Sequence, residues 1–228
     1  SGYGKMGKMI EKIILSRGLE YAGWTESVTE TDPALAKECV CIDFTTPAAF
    51  RANYRFLAEN FKAVVVGTTG WADIHDEVVA YFEKCGTPMI WASNFSIGVN
   101  MMFRLNRRMA ELMNPYEQYD VRIEETHHMW KKDAPSGTAI TLAEGIIENI
   151  DRKTSWVNNK PTNGAELEIE SFREGMVPGI HTITYSSVDD FLQLKHSIIN
   201  RRALALGAVV AGEYLQDKSG VHTMDNLL

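Results

Sequence analysis

The sequence predicts an α/β protein in which a doubly wound parallel sheet is joined to a second α+β domain built on a mixed or antiparallel sheet. Three observations lead to this. From Ser1 to Ala92, short apolar runs alternate with amphipathic stretches, the pattern of strands buried on both faces and connected by helices. From Glu166 to Ile198 the period changes to two, with Leu167, Ile169 and Ser171 against Glu166, Glu168 and Glu170, the mark of a sheet with one covered face. The chain of 228 residues, 45% hydrophobic, has material for two cores, since domains commonly run about 100–200 residues.

The elements follow in order. Met6, Met9, Ile10, Ile13 and Ile14 form one helical stripe ending at Arg17-Gly18. Leu19 to Trp24 reads as a strand, and Val40 to Phe44 as a second that stops at Thr45-Thr46-Pro47, before a helix to about Asn60. Ala63 to Val66 is a buried strand ending at Gly67-Thr68-Thr69-Gly70, followed by a helix to about Lys84 and a strand from Pro88 to Ala92. A long helix from Gly98 to Met113 ends at Asn114-Pro115 and leads to a strand from Tyr119 to Glu125. Ala139, Leu142, Ala143, Ile146, Ile147 and Ile150 share one face of the next helix. Asp151 to Gly164, including Asn158-Asn159, is polar and expected to be a mobile loop. Strands from Glu166, His181 and Phe191 come next, then an apolar helix from Ala203 to Leu215. The expected domains are 1–98, with 203–228 returning to it, and 99–202.

Composition excludes several classes. A net charge of −7 without a long basic run argues against a nucleic-acid partner. No apolar run approaches the ~18 residues that span a bilayer, and no signal peptide is recognisable. Three cysteines, Cys39, Cys41 and Cys85, offer no paired metal spacing; ordinary thiols, no metal site, no membrane and a cytoplasmic location are expected.

The opening residues Gly2, Tyr3, Gly4, Lys5, Met6 and Gly7 form a G-x-G-x-x-G turn running into a helix. In Rossmann-like folds such glycines let a dinucleotide pyrophosphate approach the helix N-terminus. A strand normally precedes the turn, and an apolar segment before Ser1 is expected. Glu26, about 20 residues on, stands where an acid meets ribose hydroxyls. Ligands of parallel sheets lie at the carboxyl ends of the strands. There the sequence has Thr45-Thr46, Gly67, Thr68 and Thr69, and Ala92, Ser93, Asn94 and Phe95.

The chemistry concentrates between Glu124 and Thr138. His127 and His128 exchange protons near neutrality, and Lys131 adds a positive charge or a proton donor. Asp133, Pro135 and Ser136 favour a turn and a cap, so the N–H groups of Gly137 and Thr138 stand at a helix start able to bind a carboxylate. An anionic substrate that exchanges protons suits this set. Tandem arginines such as Arg201-Arg202 are usually solvated, but between a strand end and a helix start one could reach an anion.

Glu125-Thr126-His127-His128, Lys131 and Asp133-Ala134-Pro135-Ser136-Gly137-Thr138-Ala139 together resemble the signature of the 4-hydroxy-tetrahydrodipicolinate (dihydrodipicolinate) reductase family. Asp43-Phe44-Thr45, Gly67 to Gly70, Ser93 to Asn100, Val177-Pro178-Gly179, and His196 with Arg201 and Gly207-Ala208 follow in the family's order. The resemblance implies NADH- or NADPH-dependent reduction of 4-hydroxy-tetrahydrodipicolinate to tetrahydrodipicolinate in lysine and diaminopimelate biosynthesis. It implies His127 as the proton donor or acceptor, Lys131 as a second donor, and His128, Gly137 and Thr138 on the substrate's carboxylates. The Gly2 to Gly7 turn, Glu26, Gly67 to Thr69, Ala92 to Phe95 and Arg201 would serve the cofactor. A homotetramer assembled through the second-domain sheet and a hinge near 96–100 and 200–206 are further implications. Many members read Gly-Arg-Met-Gly where this chain has Gly4-Lys5-Met6-Gly7, and Ser27 follows Glu26 where some relatives have arginine. Glu26 therefore favours free ribose hydroxyls, hence NADH with NADPH also used.

Overall fold

A computed structural model describes residues 1–158 and 160–228. The chain divides into two compact units, 1–97 with 201–228, and 98–200.

The first unit opens with α1 (Lys5–Ser16), whose Ile10 and Ile13 are buried. After a 3-10 turn come α2 (Pro33–Ala36), started by the Asp32 side chain accepting from the Ala34 N–H, and β1 (Val40–Asp43). Thr46 caps α3 (Pro47–Asn60) with Pro47 at its first position, an arrangement that uses the one residue whose missing N–H costs nothing there. β2 (Ala63–Val66) is buried at every position. A second 3-10 turn leads to α4 (His75–Cys85) and β3 (Met89–Trp91).

In the second unit, α5 (Ile97–Met113) is followed by β4 (Asp120–His127), α6 (Gly137–Ile147), β5 (Ser155–Val157), β6 (Glu166–Arg173), β7 (Ile180–Ser186) and β8 (Phe191–Ser197). The chain then rejoins the first unit through α7 (Arg202–Leu215), β9 (Val221–His222) and α8 (Met224–Leu227).

The first sheet runs β1-β2-β3-β9, all parallel. Phe50, Leu57, Val78 and Phe82 cover one face, packing on Val64, Val66 and Met89. Ala208, Ala211 and Leu215 cover the other, on Val65 and Ile90, with Ile10 and Ile13 of α1 against Ala205 and Val209. Helices on both faces make this the doubly wound, Rossmann-like sheet that the apolar runs predict. Leu19 to Trp24 corrects one expectation: it is not a strand, because no ladder forms along it among the described residues. The Leu19 N–H donates to the Ile14 carbonyl at its start, and just beyond its end the Thr25 carbonyl accepts from the Gly2 N–H.

The second sheet has the order β5-β6-β4-β7-β8, with β4 and β5 parallel to β6, and β7 antiparallel to β4 and β8. It is therefore mixed. Val121, Ile123, Leu167, Ile169, Ile183 and Tyr185 face Met102, Ala110, Leu142 and Ile146 of α5 and α6. The opposite parity leaves the other face open, with Glu170 and Phe172 on β6 and Phe191, Gln193 and Lys195 on β8 all exposed.

Part of the expected mobile loop at 151–164 is a strand: Ser155–Val157 forms β5, and Lys153, with only 3% exposure, donates to the Gly164 carbonyl at 3.0 Å and the Glu166 carbonyl at 3.1 Å and pairs with Asp120 at 2.8 Å. Asn159 lies outside the described residues. Cys41 is buried as a core thiol, whereas Cys85 is exposed at the end of α4. Among the described residues no helix is long and apolar enough to cross a membrane.

Lys153→Met keeps the apolar stem but leaves two carbonyls without their donor. Urea unfolding should show a loss of about 1–3 kcal/mol, with hydrogen exchange rising first in residues 154–165.

Candidate functional site

Strand parity builds the site in the second unit. Val121, Ile123, Glu125 and His127 point to the covered side of β4, and the register sets Ser171 and Arg173 of β6 and His181 of β7 beside the last two. At this end of the sheet the apolar layer gives way to a polar one. α6 begins there, so the start of the helix, not its flank, meets Glu125.

Glu125 has no solvent exposure. The Ser136 N–H donates to both its carboxylate oxygens at 3.1 Å, and the Arg173 guanidinium lies 3.5 Å from one of them. His127 Nδ1 stands 3.3 Å and His181 Nε2 3.7 Å from the other. Ser136 also caps α6 through the Ala139 N–H at 3.3 Å, and its hydroxyl is 3.2 Å from His181 Nε2. Burial alone would raise the Glu125 pKa, but hydrogen bonds from Ser136 and Ser171 and the charge of His127 outweigh it and hold the carboxyl below its ordinary range. Burial pushes the His127 pKa down; Glu125 opposes this, while Lys131, Arg173 and His128 add to it. Burial likewise takes His181 down to about 4, with His127 as the next cause.

His127 Nδ1 is buried without a hydrogen-bond partner among the described residues. At the other end of the ring, a Cβ placed on Gly179 would come within 3.1 Å of Nε2, so glycine there keeps that nitrogen uncovered. Arg173 reaches further, donating to the carbonyls of Asp133 at 2.6 Å and Lys131 at 3.3 Å, which straps the following loop to the sheet. Lys131 Nζ is held by Asp133 at 2.7 Å. His128, half-buried, lies past the strand end with its ring 6.2 Å from that of Trp130. The N–H groups of Gly137 and Thr138 open α6, where no intrahelical carbonyl reaches them. His127, Lys131, His128, Gly137 and Thr138 thus all belong to one end of the second unit.

Glu125, His127 and His181 bring one donor atom each within 4.8 Å of one another, a spacing that a cation could bridge. The Ser136 amide and Arg173 already serve the carboxylate, and a guanidinium beside it opposes a second cation. The cluster therefore reads as hydrogen-bonded proton chemistry. Glu125, Arg173 and His181 carry no role in the sequence reading, although an acid and a histidine at inward parity among Val121, Ile123, Ile183 and Tyr185 are a legible signal.

The remaining candidates lie in the first unit. Gly2, at φ +83°, packs where a Cβ would strike the Phe44 carbonyl, and a Cβ at Gly7 would strike the Gly2 carbonyl. Gly4 caps α1 with nothing within 4 Å of its would-be Cβ, and no side chain bonds the helix start. This tight turn with open space before free N–H groups fits a pyrophosphate. The tie from Gly2 to Thr25 brings the exposed Glu26 beside the turn. Tyr3 stacks on Trp24 at 4.2 Å and bonds Glu11, bracing the turn, while Lys5 and Met6 form the first turn of α1. The Thr68 hydroxyl donates to buried Asp43 at 2.6 Å and accepts the Thr45 N–H at 2.8 Å, so the Thr68 side chain is engaged within the fold. Phe95 is buried in the core, beneath half-buried Ala92 and Asn94 and exposed Ser93. Arg201 is exposed at the start of α7.

Comparison with known proteins covers both units. Residues 1–95 match the family model for the N-terminus of dihydrodipicolinate reductase, and residues 98–228 the model for its C-terminus. A 4-hydroxy-tetrahydrodipicolinate reductase of Christiangramia forsetii is 41% identical over 228 residues, covering 100% of this chain and 95% of that protein. One from Akkermansia muciniphila is 35% identical, covering 99% and 94%. The solved dipicolinate-bound dihydrodipicolinate reductase of Paenisporosarcina sp. TG-14 aligns at a TM-score of 0.76 with 24% identity, over 99% of this chain and 96% of that one, and so shares the fold.

His181 links this cluster to pH. Unfolded, it takes up a proton as pH falls through its ordinary value of 6.5; folded, it does so only near 4. Its contribution is thus complete above pH 6.5 and is lost as pH falls toward 4, up to about 3 kcal/mol. Urea midpoints measured from pH 7.5 to 4 should fall over this window, and the fall should be shallower in His181→Gln.

Proposed function

The chain belongs to the dihydrodipicolinate reductase family, and we propose that His127 exchanges the proton in its reaction. That reaction is the NAD(P)H-dependent reduction of 4-hydroxy-tetrahydrodipicolinate to tetrahydrodipicolinate, in diaminopimelate and lysine biosynthesis, and the chain is an oxidoreductase. The observation that carries the role is a buried imidazole with one nitrogen 3.3 Å from a carboxylate oxygen and the other without a side chain against it at Gly179.

The substrate is a dicarboxylate, and the second unit offers donors for two carboxylates: the Gly137 and Thr138 N–H groups at the start of α6, and the His128 ring. When bound, the dihydronicotinamide supplies a hydride. Loss of the 4-hydroxyl as water gives the conjugated ring; the hydride added to it leaves negative charge on the substrate, and His127 quenches that charge with a proton. Lys131, drawn from Asp133, stabilises or protonates the same developing charge.

The Gly2 to Gly7 turn, including Tyr3, Lys5 and Met6, would hold the cofactor's pyrophosphate. Glu26 would take its ribose hydroxyls, and Gly67, Thr68, Thr69, Ala92, Ser93, Asn94, Phe95 and Arg201 would complete the site. Since the Thr68 hydroxyl and the Phe95 ring are already engaged, these two act through the backbone. Ser27 after Glu26 supports a preference for NADH with NADPH also used.

We also propose a homotetramer assembled through the open face of the second sheet, supported by exposed Phe172 and Phe191 on it. A cytoplasmic location is proposed as well, in keeping with three unpaired cysteines.

An assay coupled to dihydrodipicolinate synthase, pyruvate and aspartate semialdehyde should show oxidation of both NADH and NADPH. In it His127→Ala should lose about 10²–10⁴-fold in kcat with the cofactor KM unchanged, and Lys131→Ala should lose both kcat and substrate affinity; turnover of His127→Ala within a few-fold of the parent would remove the role. Glu26→Gln, freed of its repulsion for a 2′-phosphate, should shift the NADPH to NADH ratio of kcat/KM upward by about tenfold.

A further inference from the structure

Two buried groups beside His127 have no assigned role in the reaction. Glu125 has no exposure and His181 only 4%, a position in which an acid and a second imidazole are costly to keep. Both converge on one point. A single oxygen of Glu125 lies 3.3 Å from His127 Nδ1 and 3.7 Å from His181 Nε2, and the two rings meet edge to face at 5.1 Å. The 3.3 Å approach of Glu125 is an ion-pair contact, and among the described residues no hydrogen bond satisfies His127 Nδ1.

Building on the role given to His127, we propose that Glu125 and His181 are positioning residues for the reduction: the carboxylate takes Nδ1–H of His127, leaving Nε2 as the nitrogen that exchanges the proton, and His181 keeps the carboxylate turned toward it. The pieces fit this division. The Ser136 N–H anchors Glu125 from the start of α6, so the acid is fixed by a helix and not by a mobile side chain. His181 is fixed in turn by the Ser136 hydroxyl at 3.2 Å. On the far side of the imidazole, Gly179 leaves Nε2 without a side chain against it. When Nε2–H is given to the reduced substrate, imidazolium becomes neutral imidazole with Nδ1–H still on Glu125, and water returns the lost proton.

The groups facing His127 set its titration. Glu125 on its own strand raises it. Lys131 and His128 in the following loop and Arg173 on β6 lower it. His181 on β7, kept neutral at physiological pH by burial, contributes no charge there. His196 on β8 pairs in register with His181, and Asp133 in the loop is neutralised by Lys131. Glu125 is thus the one group in this set that favours the protonated ring, and removing its charge must shift the proton-donating form to lower pH.

The test uses the full-length enzyme labelled with nitrogen-15 at histidine. In the parent, neutral His127 should be the Nδ1–H tautomer by its ring nitrogen shifts; an Nε2–H tautomer overturns the proposal without any variant being made. Glu125→Gln keeps the shape and the acceptor for Ser136 but not the charge. It should lower kcat by about tenfold or more, move the alkaline limb of the kcat profile to lower pH, move the His127 titration with it, and leave the nucleotide KM unchanged. Glu125→Asp should recover part of the profile. His181→Gln should weaken kcat in the parent and add little in the Glu125→Gln background. An unmoved profile and titration in Glu125→Gln, with His127→Ala inactive, would sink the positioning role alone, whereas an active His127→Ala would sink the reading beneath it.

Discussion

A carboxylate sealed from water is the constraint on which the second unit depends. Glu125 cannot shed its charge at neutral pH while hydrogen-bond donors and a guanidinium surround it, and it cannot keep that charge without them. Each partner therefore fixes something else. The Ser136 N–H sets where α6 begins, Arg173 holds the loop that carries Lys131, and His127 and His181 take their places from the same oxygen. The site is compact because one charge has to be satisfied from several elements at once.

Strand parity explains how so much polar chemistry is placed without losing the core. Along β4, residues 121 and 123 face the helices and residues 125 and 127 continue on the same side. The switch from valine and isoleucine to glutamate and histidine occurs where α6 presents its N-terminus in place of its flank. Main-chain N–H groups there can meet a carboxylate, whereas the helix flank offers only side chains such as Leu142 and Ile146. The same inward parity on β6 and β7 gives Arg173 and His181. The fold supplies this layer as the extension of the apolar one.

Much of this was legible in the residues. Buried strands such as 63–66, the alternating strands of the second sheet, and the clustering of His127, His128 and Lys131 ahead of a capped helix all follow from local periodicity and turn chemistry. Leu19 to Trp24 was not legible, because a strand is made by its neighbour and no ladder runs along this stretch. β5 was hidden for the opposite reason: a polar stretch became ordered through one lysine whose acceptors are carbonyls more than ten residues away. The inward parity of Glu125 and His181 is legible in their own strands, but their role is not, because it depends on what stands across the sheet and register is not written in any single segment.

Asp43 draws the hydroxyls of Thr45 and Thr68 toward itself, so two neighbouring loops of the first unit are stitched together from within. A substitution at exposed Thr69 or Ser93 leaves that stitch untouched, whereas one at Glu125 removes a partner that several elements share.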